Sequence, residues 1–257
     1  MNAMDVTVER KFSRGLSFQS GWTYQKNLSD AGDDGEQGEP ENPYDLRREY
    51  GNMAFNPTHR WVSNFQYELP FGKGKRFGSN LPSAAEHVVG NWQIAAVTLF
   101  STGQWLTAGF DNLDPSNTRG YGGRPDEIGK PQIPNPSISL WFNPNAFAIP
   151  GCPDSDPVCA NPADVGRFGN SARGVFTGPG IANMDFALYK YFTIKEKVRM
   201  QFRATATNFL NHFNPDNPNT DISAGSLAVG VITGTHSRYD SLGSGARQIQ
   251  IGLRFDF

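Results

Sequence analysis

The chain has 257 residues, a formal net charge of -2 and a mean hydropathy of -0.51. Its longest apolar run covers residues 94–100, far short of the roughly 20 apolar residues that a membrane-spanning helix needs, which excludes a helical membrane protein. The charge balance leaves no basic surface that would indicate nucleic-acid binding. The 28 glycines and 18 prolines have no collagen period and predict many turns between short elements.

Alternation of apolar and polar residues with a period of two is the dominant pattern, and it predicts β-strands with one apolar and one polar face. The fourth predicted strand differs, because both of its faces are partly apolar. Seven strands are expected, at about 4–12, 15–27, 58–70, 91–106, 182–193, 197–210 and 246–257.

The predicted connections are of two kinds. Tight turns lie at 13–15 and 194–197, and an intermediate linker covers 71–90. The other connections, 28–57, 107–181 and 211–245, exceed the roughly 12–15 residues typical of structureless loops in compact soluble domains. All three long connections fall at the same end of the predicted sheet. This asymmetry is typical of a transmembrane β-barrel.

The polar strand faces also fit a barrel, because only helices and closed sheets pair every backbone group in lipid. Arg199, Arg203 and Arg254 would line a wet interior, while the apolar faces would contact lipid. Aromatic side chains near the strand ends are expected to form interfacial girdles. They are Trp22, Tyr24, Trp61, Tyr67, Trp92, Tyr189 and Tyr191. Alternation alone equally allows a secreted β-sandwich, a binding module with no membrane role.

The carboxyl end favours the barrel. Ile251, Leu253, Phe255 and Phe257 lie on one face of the last predicted strand, which ends the sequence on an aromatic residue. This pattern resembles the signal by which the barrel-assembly machinery recognises bacterial outer-membrane proteins. A soluble domain more often ends in frayed polar residues.

Several motifs in series resemble one family, the TonB-dependent transporters of the Oar-like, carboxypeptidase-regulatory-domain type. The stretches that carry the resemblance are Asn42 to Gly51, His59 to Val62, Tyr67 to Arg76, Gly90 to Ile94, Arg167 to Gly180, Arg199 to His212 and Ala246 to Gln250. They cover nearly the whole chain in the family's order.

The resemblance implies a bacterial outer-membrane barrel of about twenty-two strands with an amino-terminal plug, energised by TonB. Residues 1–257 would then be the carboxy-terminal portion of the barrel, because seven is an odd strand number and no signal peptide is present. The implied partners are outer-membrane lipid, TonB through the missing amino-terminal region, and an unknown small solute, peptide or oligosaccharide. A surface adhesion barrel without transport is a further alternative.

The longest connection is the best candidate for ligand contact, since recognition usually resides in loops on a rigid scaffold. It and its flank carry aromatic side chains that could stack on a sugar or a peptide. They are Trp105, Phe110, Tyr121, Trp141 and Phe142. The alternative is that these side chains pack the loop against its neighbours, and this alternative is favoured.

Other polar residues carry weaker signals. Cys152 and Cys159 are expected to form a local disulfide in the longest loop, with a pair of free thiols as the alternative. The acidic segment 30–41 is expected to be a solvated loop rather than a cation site, and Lys73, Lys75 and Arg76 a solvated basic turn. No catalytic constellation, metal site or cofactor motif appears, so an enzyme is not expected.

Overall fold

The computed structural model describes residues 1–30, 40–119, 122–151, 159–161, 166–195, 198–236 and 245–256, with only the backbone described for 159–161, 193–195 and 198. Seven long strands form a single antiparallel sheet. They are β1 (Asn2–Ser13), β2 (Leu16–Lys26), β3 (His59–Glu68), β4 (Trp92–Ser101), β5 (Ile181–Lys195), β6 (Val198–Thr207) and β7 (Gln248–Asp256). Each strand pairs with its neighbours in the sequence, which confirms the seven predicted strands.

Two of the predicted strands end earlier than the pattern suggested. β4 ends at Ser101, and Trp105–Leu106 pair instead with Phe176–Thr177 in a separate small sheet. β6 ends at Thr207, because Asn208 takes a φ of 45° that a strand does not allow.

The register places the apolar residues on one face of the sheet. One row across the six strands β2 to β7 consists of Phe18, Phe65, Ala96, Phe186, Ala206 and Ile249. A row on the opposite face consists of Ser17, Gln66, Ala95, Ala187, Thr205 and Gln250. The predicted division into an apolar and a polar face is therefore confirmed.

Aromatic residues mark both ends of the apolar face. Trp22, Trp61 and Phe100 stand side by side near the long connections, and Tyr67 and Trp92 lie near the other end. Six residues separate Trp61 from Tyr67, roughly 20 Å along a strand. This spacing suits two interfacial girdles on a tilted strand.

Two residues assigned to the girdles lie on the other face. Tyr189 is paired with Gln93 and Arg203, and Tyr191 with Gln201, so both tyrosines belong to the polar face. The Tyr191 hydroxyl donates to Gln93 Oε1 at 3.0 Å. The girdle prediction for Tyr189 and Tyr191 is wrong, because strand alternation turns both rings away from the face that holds Leu188.

The connections contain only short elements. The linker between β3 and β4 carries one helix, α1 (Ser83–Val89). The long connections carry the 3-10 turns Leu46–Glu49 and Pro144–Ala146 and three small sheets. These sheets pair Leu28–Ser29 with Gly51–Asn52, Trp105–Leu106 with Phe176–Thr177, and Phe147–Pro150 with Asp126–Glu127 and Cys159–Asn161. In the described part of the chain, no helix is long and apolar enough to cross a membrane.

The hydrophobic core lies in the long connections rather than on the sheet. Its central side chains include Phe142, Phe147 and Ile149 of the second connection and Ile222 and Val229 of the third. Across the described ranges, the other sheets have only two or three strands, so no second large sheet covers the apolar face. The sandwich alternative therefore does not describe this fold.

The sheet is open. β1 and β7 are its outer strands, and every described residue of both is exposed. Each outer strand presents one unpaired edge of N–H and C=O groups, which favours pairing with further strands.

The two faces can be tested with spin labels in a background that carries Cys152→Ser and Cys159→Ser. Labels at Phe202 and Ile251 should be reached by oxygen dissolved in lipid rather than by a nickel chelate in water, because both positions lie on the apolar face. Labels at the neighbouring Gln201 and Gln250 are the matched controls and should show the reverse preference. Equal access of the nickel chelate to all four positions in lipid vesicles would contradict a lipid-facing apolar surface.

Candidate ligand-binding site

The three long connections, which we call the first loop (27–58), the second loop (102–180) and the third loop (208–247), gather at one end of the sheet. Their described parts form what we call the loop layer. The three short connections, at 14–15, 69–91 and 196–197, lie at the opposite end. The predicted asymmetry of the two ends is thus confirmed.

Apolar packing joins the second loop to the third. Within the second loop, Phe142 is 1% exposed and stacks on Phe176, with ring centroids 4.5 Å apart. Ile222 and Val229 of the third loop belong to the same buried cluster. Backbone hydrogen bonds continue the contact, since Ile222 N–H donates to the Gly109 carbonyl at 2.8 Å. Burial of aromatic side chains is the largest favourable contribution available to such an irregular segment, and it holds the two loops in one arrangement.

A buried carboxylate joins the first loop to the second. Glu49 is 0% exposed, and the Arg124 guanidinium donates to both of its carboxylate oxygens, at 2.9 and 3.2 Å. Arg173 Nη2 lies 2.8 Å from Glu49 Oε2, and the Glu41 backbone N–H donates to Oε1 at 3.2 Å. Such a charge-assisted fork fixes both distance and orientation. The carboxylate is therefore fully paired within the loop layer.

Local backbone geometry brings Glu49 to this position. Residues Leu46–Glu49 form a 3-10 turn, and Gly51–Asn52 then pair with Leu28–Ser29. A Cβ at Gly51 would lie 2.6 Å from Arg173 Cβ, and Gly174 has a φ of +60°. Both glycines therefore permit the close approach that lets Arg173 reach Glu49.

Arg48 and Glu41 extend the charged network. Arg48 donates to the Gly169 carbonyl and lies over the Phe168 ring, 5.4 Å from its centroid. Arg124 Nη2 is 3.1 Å from Glu41 Oε2. Glu41 is thus paired with Arg124 inside the loop layer, whereas the sequence analysis expected it in a solvated acidic segment. Most of that segment lies outside the described residues.

A second ion pair, between Asp126 and Arg167, lies beside the short strand Asp126–Glu127. Arg167 donates to both carboxylate oxygens of Asp126, at 2.9 and 2.6 Å, and the Asn170 backbone N–H donates to Oδ1 at 2.9 Å. The Arg167 hydrogen bonds lower the pKa of Asp126 below its ordinary value of 3.8 and outweigh the opposing effect of burial.

A cleft of about 1020 Å³ opens between the first and second loops, next to the Glu49 network. Pro43, Tyr44 and Phe168 give it apolar and aromatic walls, while Asn42 and Arg119 contribute polar groups. Its volume is at the upper end of the range for small-molecule sites, roughly 300–1,000 Å³. Its composition, aromatic surface with a few polar groups, suits a solute that stacks and accepts hydrogen bonds.

The aromatic residues predicted for ligand contact have different positions. Phe110 and Phe142 are buried in the core of the loop layer. Trp141 packs against that core and donates from its indole N–H to the Thr177 carbonyl at 2.8 Å. Trp105 belongs to a short strand pair, and Tyr121 lies outside the described residues. Trp105, Phe110, Trp141 and Phe142 do not line the cleft. The burial of Phe110 and Phe142 favours the packing alternative.

The other predicted sites are only partly described. Ile251, Leu253 and Phe255 share the apolar face of β7, and Phe257 lies outside the described residues. Cys152 also lies outside them, and only the backbone of Cys159 is described. The disulfide and the assembly signal stay predictions. Within the described ranges, no group of three or more His, Cys, Asp or Glu side chains could hold a metal ion.

Sequence reasoning missed the residues that shape the cleft. Glu49 and Arg173 stand in two of the motifs that carry the family resemblance, but their pairing across the loops is not a local pattern. Arg124 lies in neither motif. The sequence offered one signal for this contact. Charged residues stand beside a glycine at 47–51 and again at 173–174, and a glycine permits close approach of two backbones.

A family model described as an outer membrane beta barrel domain matches residues 1–250. The chain belongs to this family. It is a bacterial outer-membrane protein. No curated protein and no solved structure matches the chain.

Replacing Glu49→Gln in the barrel protein should destabilise the loop layer by about 3–5 kcal/mol, because Arg124 and Arg173 would lose their buried counter-charge. The free energy of local opening, measured by amide hydrogen exchange across 40–52 and 166–174, reports this loss. Glu127→Gln is the matched control, an exposed carboxylate in the same layer whose removal should change the opening free energy by less than about 0.5 kcal/mol. Equal changes in the opening free energy for the two substitutions would contradict the conclusion that the Glu49 ion pairs hold the first loop to the second.

Lowering the pH should weaken the ion pair between Asp126 and Arg167. Because the folded pKa of Asp126 is lowered, its ion pair stabilises the folded layer fully above pH 3.8 and loses this effect as the pH falls through the folded value. Hydrogen exchange at 166–171, corrected for the intrinsic exchange rate, should show the loss in the parent protein. The difference in opening free energy between the parent and Asp126→Asn should shrink as the pH falls. If the difference in opening free energy between the parent and Asp126→Asn stayed constant from pH 6 to pH 2, the stabilising role of the ionised Asp126 carboxylate would be disproved.

Proposed function

We propose that this barrel protein is part of a TonB-dependent outer-membrane transporter that binds a solute with its extracellular loops and passes it through the barrel. The observation that carries the proposal is the cleft between the first and second loops. A barrel that only spans the membrane needs no packed core outside the sheet. Here the core and the Glu49 network fix the loops in one arrangement, so the cleft is formed before a ligand arrives.

The open sheet supports membership of a larger barrel. The smallest barrels have eight strands, whereas the sheet of this chain has seven and two unpaired edges. In the proposal, β1 and β7 pair with further strands to close a barrel of about twenty-two, as in the Oar-like transporters. The plug and the contact with TonB would be supplied by residues outside these 257. The chain would reach the membrane through the barrel-assembly machinery.

The proposed role is binding and passage rather than catalysis, and it needs no cofactor. The charged groups deepest in the cleft wall, Glu49, Arg124 and Arg173, already satisfy one another. Recognition would therefore fall to the Tyr44 ring, Asn42 and the guanidinium of Arg119. Stacking combined with a few hydrogen bonds suits a peptide or an oligosaccharide.

Binding is tested with the full chain refolded in detergent, using three probes: a tryptic digest of casein, maltoheptaose and ferrichrome. One probe should bind, and Tyr44→Ala should weaken its binding roughly 2- to 10-fold, because aromatic contacts contribute about 0.5–1.5 kcal/mol. The measurement is titration calorimetry for the pure probes and retention on the immobilised protein for the digest.

Tyr50→Ala is the matched control, an exposed tyrosine of the same loop that does not line the cleft. Binding of none of the probes, or equal weakening by the two substitutions, would count against the cleft as the site. Uptake of the bound probe by cells that carry the gene should stop when an uncoupler collapses the proton gradient. Binding at the cleft without energy-dependent uptake would support the adhesion barrel instead.

A further inference from the structure

The linker between β3 and β4 (69–91), which we call the foot, is longer than its connection requires. β1 and β2 are joined at the same end of the sheet by Arg14 and Gly15 alone. The foot uses 23 residues for a connection of the same type and folds them around α1. Since antiparallel neighbours need only about two residues, the additional length serves another purpose.

The foot is attached to the apolar face of the sheet. Trp92 and Lys190 are paired in the register and share that face with Ile94 and Leu188. The Trp92 indole N–H donates to the Val88 carbonyl at 2.8 Å. Lys190 Nζ donates to the same carbonyl at 3.2 Å and to the Gly90 carbonyl. The carboxyl end of α1 is therefore held on the side of the sheet that faces lipid.

Lys190 makes this attachment possible within an apolar surface. The side chain is 2% exposed, and its ammonium group lies 5.1 Å from the Trp92 ring centroid and 5.3 Å from that of Phe192. The two carbonyls at the end of α1 satisfy donors that lipid could not. Two carbonyls at the helix end thus accept hydrogen bonds from a charged residue on the apolar face.

The foot exposes apolar side chains beside this attachment. Val88 is 68% exposed, and Val89 and Leu81 are exposed next to it. Phe71 and Phe77 are also exposed, with ring centroids 5.7 Å apart. Isolated exposed apolar residues are common, but these five lie within one connection, between Tyr67 and Trp92 of the girdle at this end of the sheet. This is the depth of the headgroups on the periplasmic side.

The charge of the foot complements an anionic surface. It carries Lys73, Lys75 and Arg76 against the single carboxylate Glu86. Lys75 is paired with Glu68 of β3 at 2.8 Å. Arg76 lies against the Phe77 ring, 5.4 Å from its centroid. The Lys73 backbone N–H donates to Glu86 Oε2 at 2.7 Å, but in the described part of the chain no carboxylate lies within 4 Å of the Lys73 ammonium or the Arg76 guanidinium. Exposed apolar groups with adjacent cations are the combination that binds anionic membrane surfaces.

We infer that the foot is a lipid-binding element, which seats Val88, Phe71 and Phe77 among the headgroups of the periplasmic leaflet and selects anionic phospholipid through Lys73 and Arg76. The inference rests on the orientation of the barrel and not on transport. It differs from a solvated basic turn, because a turn in water would gain nothing from exposing five apolar side chains. Failure of the transport proposal would leave it unaffected.

The first experiment locates the foot relative to the bilayer. An environment-sensitive fluorophore is attached at Val88→Cys in the full chain, in the Cys152→Ser and Cys159→Ser background, and the protein is reconstituted into phosphatidylcholine vesicles with 20% phosphatidylglycerol. The emission should shift to the blue and be quenched by lipids that carry a nitroxide near the headgroup. The control label is at Leu227, which is 93% exposed in the loop layer and should report water. A water-like signal at Val88, as expected if a protein partner normally covers the foot, would overturn the inference.

The second experiment tests lipid selectivity by electron spin resonance. The association of spin-labelled phosphatidylglycerol with the protein should exceed that of phosphatidylcholine several-fold. Lys73→Gln with Arg76→Gln should abolish this several-fold preference and bring the two lipids to about equal association, because both cations that attract the anionic headgroup are removed. The charge-matched control is Arg47→Gln with Lys130→Gln, two exposed cations of the loop layer. An equal reduction in both double variants would show a general effect of net charge and overturn the selectivity. Heat-modifiable migration on gels verifies that all variants fold.

Discussion

In a bilayer, each backbone N–H or C=O without a partner costs several kcal/mol, and this requirement shapes the whole chain. Seven neighbouring strands satisfy it by pairing in sequence order, which leaves only the outer edges of β1 and β7 unpaired. Pairing in this manner produces a sheet with lipid on one face and water on the other. Such a sheet has no interior of its own. The hydrophobic core of the described chain is therefore found in the loop layer, where burial of apolar side chains away from water is favourable.

In the loop layer the main physical requirement is different, because long irregular segments must be ordered. Ordering a residue costs about 1–2 kcal/mol of backbone entropy, so loops of this length stay fixed only if they bury apolar or well-paired polar groups. The second and third loops bury phenylalanines around Phe142. The first loop contributes little to that core and is held through Glu49 instead. The cleft lies where the two kinds of contact meet, which explains its mixed aromatic and charged walls.

The Lys and Arg side chains at the two ends of the sheet differ in burial and in ion pairing. In the loop layer, Arg124 and Arg173 are buried and paired, so they determine the position of a neighbouring loop. At the opposite end, Lys190 is buried against helix carbonyls, whereas among the described residues no carboxylate lies within 4 Å of the side-chain cations of Lys73 and Arg76. The paired cations join the loops beside the cleft. Unpaired cations next to exposed apolar side chains suit a membrane surface.

The sequence by itself determined the strands, the identity of the two faces and the asymmetry of the two ends, because a period of two and the lengths of connections are local properties. It did not determine that Tyr189 and Tyr191 lie on the polar face while Lys190 lies on the apolar one, since this depends on the register across β4 and β5. Nor did it determine that Phe110 and Phe142 are buried while Tyr44 borders a cleft. The tie between Glu49, Arg124 and Arg173 joins positions more than 70 residues apart. Only the tertiary structure decides such pairings, because the energy of a buried charge depends on which distant groups the folded chain brings within hydrogen-bonding distance.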